Sequence, residues 1–176
     1  LIELGVPFSD PIAEGPIIQE ASLRSLQGGT TLEGIFELVK KLRTKTEIPL
    51  VFMMYINTIY RFGVERFFSL CQKTGIDAVI VPDLPFEEHD EIDECAYSHG
   101  VYPINLVAPT SKDRIAAIAA NSKGFLYCVS STGVTGVRNT FQTDFDSFFD
   151  TIKQHASIPY CVGFGISSPE QVKQMK

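Results

Sequence analysis

The sequence predicts an α/β fold, a TIM-type (β/α)8 barrel of which about six strand–helix units are present. Three observations carry that expectation. Short runs rich in Val, Ile and Leu alternate with longer segments of helical period. The runs are apolar throughout, as in parallel strands covered on both faces. Polar residues gather at or just past the C-terminal ends of several different runs: Glu3, Tyr55, Asn57, Asp83, Tyr127 and Ser130. Loops around a barrel mouth converge on one site in that way, whereas an open doubly wound sheet would concentrate its ligand contacts near one switch point.

Taken in order, the strands are expected at Leu1 to Gly5, Leu50 to Tyr55, Ala78 to Val81, Tyr102 to Val107, Gly124 to Val129 and Tyr160 to Gly163. Helices are expected at about Pro16 to Leu26, Leu32 to Leu42, Gly63 to Thr74, Phe86 to His99, Lys112 to Ala120, Asp144 to His155 and from Pro169 onward. Ser168, Pro169 and Glu170 supply a cap, a first-turn proline and an acidic first turn. Gly75 and Gly100 stand where helix C-terminal glycines belong. Repeated strand–helix order with short links requires parallel pairing. No linker, charge block or low-complexity segment divides residues 1–176, so one barrel domain is expected. A full barrel needs about 250 residues. The chain begins inside a strand and stops inside a helix, so a strand–helix unit is expected to be missing at each end.

Composition narrows the class. With 44% hydrophobic and 20% charged residues, the chain can bury a sizeable core. A net charge of −6 from interspersed charges leaves no footprint for nucleic acid or an anionic membrane surface. No apolar run approaches the roughly 20 residues of a membrane span, and no signal-peptide layout opens the chain, so a soluble intracellular protein is expected. Cys71, Cys95, Cys128 and Cys161 are far apart, with no C-x-x-C pair, and read as buried thiols rather than as zinc or redox groups. His89, His99 and His155 fall on helical stretches and read as solvated or capping residues.

Glu3 is the residue that asks for an explanation. An ionisable group in a strand buried on both faces costs several kcal/mol unless it is paired, hydrogen-bonded or neutral. A partly desolvated carboxyl would have a raised pKa, suited to giving and accepting a proton. A glutamate satisfied by backbone amides or by a neighbouring polar side chain explains the residue equally well. The loop that follows, PFSDPIAEGP, contains three prolines, one glycine, Asp10 and Glu14, a composition that fixes backbone angles and ends in a helix start at Pro16. Asp10 reads as a turn residue and Glu14 as a first-turn helix charge on composition alone. SSTGVTG and GFGISSPEQV each place glycines after a late strand, where this fold often binds phosphate, although turns need glycine anyway. Phe8, Phe52, Phe67, Phe68, Phe125, Phe148 and Phe149 read as core or helix-face residues, whereas Tyr55 and Tyr127 could line a flat aromatic substrate.

ELGVPFSDPIAEGPIIQ, MYINTIYRFGVERF, VPDLPFEE, SSTGVTG and GFGISSPEQV occur in an order and spacing that resembles the tryptophan synthase alpha chain family along the whole chain. The resemblance implies an eight-stranded α/β barrel and retro-aldol cleavage of indole-3-glycerol phosphate to indole and glyceraldehyde 3-phosphate. It implies that Glu3 is the catalytic acid–base, and that Glu14 stands where many members carry a catalytic aspartate in a D-G-P context. The extra methylene moves that carboxylate by about one bond. Tyr127 matches a tyrosine near the catalytic glutamate and Tyr55 one lining the indole pocket. Thr135 matches the threonine of a closing loop. Gly136 and Gly165 match phosphate-holding amides, with Phe164 alongside, while Ser131 stands where some members have arginine.

Further family contacts would lie before Leu1 and beyond Lys176, so this piece alone is expected to be inactive. No metal or organic cofactor is implied, since pyridoxal phosphate belongs to the partner beta chain. The loop from Pro7 to Pro16, with Asp10, and the region after Asn57 resemble surfaces that contact that chain in an α2β2 complex. Two other readings stay open on the sequence. One is a catalytically weakened chain that mainly activates the beta chain, and the other is a different phosphate-binding barrel such as an isomerase.

Overall fold

In the computed structural model, residues 1–111, 113–129, 145–163, 166 and 168–174 are described. The chain divides into two compact units, Leu1–Ile104 and Asn105–Lys176. The first unit contains strands β1 (Ile2–Gly5), β2 (Leu50–Met53), β3 (Ala78–Ile80) and β4 (Tyr102–Ile104). Its helices are α1 (Pro16–Gln27), α2 (Leu32–Arg43), α3 (Ile56–Phe62), α4 (Val64–Thr74) and α5 (Asp90–Ser98). The second unit contains β5 (Leu106–Val107), α6 (Arg114–Asn121), β6 (Leu126–Val129), α7 (Phe145–His155), β7 (Tyr160–Gly163) and α8 (Pro169–Gln174).

Every pair of neighbouring strands is parallel, and within each unit the strands follow sequence order, β1-β2-β3-β4 and β5-β6-β7. That order decides between the two architectures considered from the sequence. A doubly wound sheet reverses its strand order at a switch point, and neither sheet does so. Winding in one direction is the barrel pattern.

Register fixes which side chains share a face. Glu3 pairs with Val51, and Val51 with Ala78, so these three point to one side of the first sheet. Leu4, Phe52 and Val79 point to the other, where they join the core built with α2, α4 and α5. Phe36, Phe52, Phe67 and Phe68 are among the largest buried side chains of that core. Phe36 meets Phe52 edge-on at 5.5 Å, and Phe67 meets Phe68 at 5.1 Å. At about 1.5–3 kcal/mol per fully buried large side chain, this cluster outweighs any surface ion pair in holding helices to sheet.

Four expectations need correction. The fourth strand, read as continuous from Tyr102 to Val107, breaks at Asn105. Asn105 is buried, and its side-chain amide donates to Ser122 Oγ at 3.1 Å while its backbone carbonyl accepts from Tyr127 N at 3.0 Å. Helix α3, with Asn57 inside it, was not expected, because INTIYRF is short and rich in poor helix formers. Asp83, from the loop after β3, accepts from Ile56 N at 3.0 Å and supplies the N-terminal partner that α3 lacks locally. The stretch read as one helix from Phe86 to His99 begins as a 3-10 turn at Phe86–Glu88. Finally, β1 is not buried on both faces: Leu4 is half-buried and the rest of the strand is exposed, as fits a strand paired only with β2.

Candidate active site

One hydroxyl meets the loop after β1 at three points. Tyr55, two residues beyond β2, is buried, and its Oη donates to Glu14 Oε2. The same oxygen accepts from Ile12 N at 2.9 Å and Ala13 N at 2.8 Å. A phenol offers one donor and two acceptor sites, so this hydroxyl is fully used. Phe8, from the start of the loop, stacks on the Tyr55 ring at 4.8 Å between centroids. Burial, reinforced by the Glu14 carboxylate, pushes the Tyr55 hydroxyl up to about 12, so it stays a donor at neutral pH.

Glu3 lies at the other end of the same loop. Its side chain is exposed, and no described residue hydrogen-bonds its carboxylate. Partial removal of water by surrounding atoms still raises its pKa above the ordinary 4.5. No backbone amide or polar side chain among the described residues satisfies the Glu3 carboxylate.

Asp10 is exposed at the tip of the loop, where Ser9 Oγ donates to it at 2.5 Å. A cleft of about 370 Å³ runs beside it, lined by Phe8, Asp10, Asn57, Thr58 and Arg61 among others. The two segments singled out from the sequence, Pro7 to Pro16 and the region after Asn57, thus meet at one surface.

In the second unit, Tyr127 is buried in β6 and lies over Gly163, the last residue of β7. A Cβ at position 163 would collide with the Tyr127 hydroxyl and ring, so glycine there leaves the tyrosine its place. Thr135, Gly136, Ser131, Phe164 and Gly165 lie outside the described residues.

A family model described as "Tryptophan synthase alpha chain" matches residues 1–176. The chain belongs to the tryptophan synthase alpha chain family. The alpha chain of Thermoanaerobacter sp. (strain X514) is 48% identical over 176 residues, which are all of this chain and 67% of that protein. That of Alkaliphilus metalliredigens (strain QYMF) is 49% identical, again over this whole chain and 66% of the relative. Among solved structures, the tryptophan synthase a2b2 complex from the hyperthermophile Pyrococcus furiosus matches with a TM-score of 0.88 at 37% identity. That match covers 98% of this chain and 70% of the other. The chain spans about two thirds of the length of the relatives it matches. The fold class is the TIM-type α/β barrel of this family, in agreement with the in-order parallel strands.

Four residue assignments made from the sequence change. His89 is buried, with Nδ1 3.5 Å from Asp93 Oδ1, rather than solvated. Cys161 is exposed and Cys95 half-buried, so only Cys71 and Cys128 are the buried thiols expected. Phe8 is not a core residue; it is half-buried and stacks on the Tyr55 ring. The sequence also missed a cluster of Glu65, Cys95 and His99, because only the packing of α4 beside α5 brings Glu65 to the other two. The four-residue spacing of Cys95 and His99 was the available signal. Among the described residues, no helix is long and apolar enough to cross a membrane.

Proposed function

We propose that the chain, in its complete protein, is the lyase of the alpha reaction in tryptophan biosynthesis. It cleaves indole-3-glycerol phosphate to indole and glyceraldehyde 3-phosphate in the cytoplasm. Family membership supports this reading over that of an unrelated phosphate-binding isomerase. The observation that carries it is the pair of carboxylates at the two ends of one loop: Glu3 with a raised pKa, and Glu14 anchored by Tyr55.

Glu3, in its acid form, delivers a proton to the ring carbon of indole that bears the glycerol chain. Protonation there places positive charge on the ring system, and Glu14 accepts a hydrogen bond from the indole N–H and balances that charge. Glu3, now a carboxylate, takes the proton from the adjacent glycerol hydroxyl. The carbon–carbon bond then breaks, its electrons restoring the aromatic ring as the hydroxyl carbon becomes the aldehyde. Burial raises the pKa of Glu3 above the ordinary 4.5, which is the direction that favours a group that must both donate and accept a proton.

Tyr55 orients Glu14 and offers its ring, with Phe8, as a wall for the indole. Tyr127 matches the family tyrosine near the catalytic glutamate, Thr135 the threonine of the family's closing loop, and Gly136 and Gly165, with Phe164 alongside, the positions whose amides help hold the phosphate. The chain needs no cofactor of its own for this reaction. The partner is a tryptophan synthase beta chain, as in the a2b2 complex of the Pyrococcus furiosus relative, and the Asp10 loop with its adjoining cleft is the proposed contact surface.

The experiment is to incubate the complete protein, with and without beta chain, with indole-3-glycerol phosphate and to assay indole. Indole is expected, and Glu3→Gln should lower its rate by about 10²–10⁴-fold. No indole in either condition overturns the activity, and a loss smaller than about tenfold removes Glu3 from its role.

A further inference from the structure

Helices α4 and α5 bring three metal-ligating side chains together: Glu65 in the first turn of α4, Cys95 within α5, and His99 at the C-terminal end of α5. Their ligand atoms all lie within 4.8 Å of one another. Cys95 Sγ donates to Glu65 Oε2 at 3.3 Å, and His99 Nε2 lies 3.3 Å from Glu65 Oε1. Cys95 and His99 are one helical turn apart and share a face of α5.

The second ring nitrogen of His99 points to what belongs there. Nδ1 lies 2.8 Å from the Cys95 carbonyl oxygen, and a carbonyl only accepts, so Nδ1 carries the hydrogen. In a neutral imidazole the lone pair is then on Nε2, the atom that faces Glu65. A lone pair and a carboxylate oxygen at that distance repel unless a cation stands between them. Either the proton of an imidazolium or a metal ion can fill that role. A histidine that donates one N–H to a backbone carbonyl while its other nitrogen is free to ligate is oriented as metal-bound histidines are.

We propose that Glu65, Cys95 and His99 form a site for a divalent transition metal of the zinc class, with a fourth position for water. Thiolate and imidazole select zinc over magnesium or calcium, which take oxygen ligands. Tetrahedral zinc places neighbouring ligand atoms roughly 3.3–3.8 Å apart, so side-chain rotation of about 1 Å closes the set. Binding would break the Cys95 S–H bond, form a sulfur–metal bond and release the proton to solvent. Because binding displaces the Cys95 proton, affinity should rise with pH. The ion would bridge two helices and thus bind the folded chain in preference to the unfolded one.

The test uses cobalt(II) as a coloured substitute for zinc, with the complete protein carrying Cys161→Ser to remove the exposed competing thiol. One equivalent should produce a thiolate-to-cobalt charge-transfer band, stronger at pH 8 than at pH 6, which zinc displaces. Cys95→Ser should abolish the band, and His99→Gln or Glu65→Gln should weaken binding at least tenfold. Zinc should also raise the unfolding temperature, an effect lost in Glu65→Gln, whose exposed side chain can change without disturbing the core. A band that survives Cys95→Ser, binding unaffected by His99→Gln, or no band and no thermal shift each overturns the site.

Discussion

Replacing Tyr55 by Phe removes one oxygen and keeps the ring that Phe8 stacks on, so it isolates the hydroxyl's contribution. That oxygen makes three hydrogen bonds: two from the backbone amides of Ile12 and Ala13, and one to the Glu14 carboxylate. Neutral bonds contribute about 0.5–1.5 kcal/mol each and a bond to a charged group about 1.5–3, so the gross loss is about 2.5–6 kcal/mol. Ile12 is 77% exposed and Glu14 is half-buried, so water replaces part of what is lost. Halving the figure leaves about 1–3 kcal/mol, equivalent to roughly a 5- to 150-fold change in the equilibrium for opening the loop. Amide hydrogen exchange reads that equilibrium directly. The amides of Ile12 and Ala13 should exchange faster by that factor in Tyr55→Phe, while the buried amides of β2 and β3 stay protected. The rate of indole formation should fall at the same time, because the Glu14 carboxylate loses its anchor. Unchanged exchange at Ile12 and Ala13 would refute the reasoning, since it would mean that the hydroxyl does not hold the loop.

Two further outcomes follow from the same contacts. The pKa of Glu3 is raised in the folded chain, so the fold holds that proton more tightly than the unfolded chain does. The cost is absent below the ordinary value of 4.5, grows as pH rises from there to the folded value and is constant above it. Glu3→Gln should therefore match the parent's unfolding temperature near pH 4 and exceed it slightly at pH 8. A variant less stable than the parent at pH 8 would contradict this. Gly163→Ala drives a methyl into the buried Tyr127 ring and should cost about 1–3 kcal/mol, seen as a fall of several degrees in the unfolding temperature. A variant that unfolds at the parent's temperature would mean that the ring can move aside freely.

The strand–helix rhythm was legible because each element carries its own signal. Short apolar runs, helical periodicity, Pro16 at a helix start and Gly75 in a left-handed C-cap are all local features. The errors fell where a distant residue decides. Asp83 supports α3 from another loop, the Asn105–Ser122 bond accompanies the break between β4 and β5, and exposure of β1 depends on which strands flank it. The candidate site divides in the same way. Glu3 and Glu14 stand out as charges bracketing a proline-rich loop, but nothing local shows that Glu14 is held by a tyrosine 41 residues away.

The sequence by itself determined the class of fold and the family, because periodicity, turn chemistry and motif order are properties of neighbouring residues and their spacing. The tertiary structure decided the in-order winding of each sheet, the Tyr55–Glu14 anchor, the seat of Tyr127 over Gly163 and the meeting of Glu65 with Cys95 and His99. Each of these is a contact between segments far apart in the chain. Such contacts depend on which helix packs beside which strand, and no local pattern encodes that.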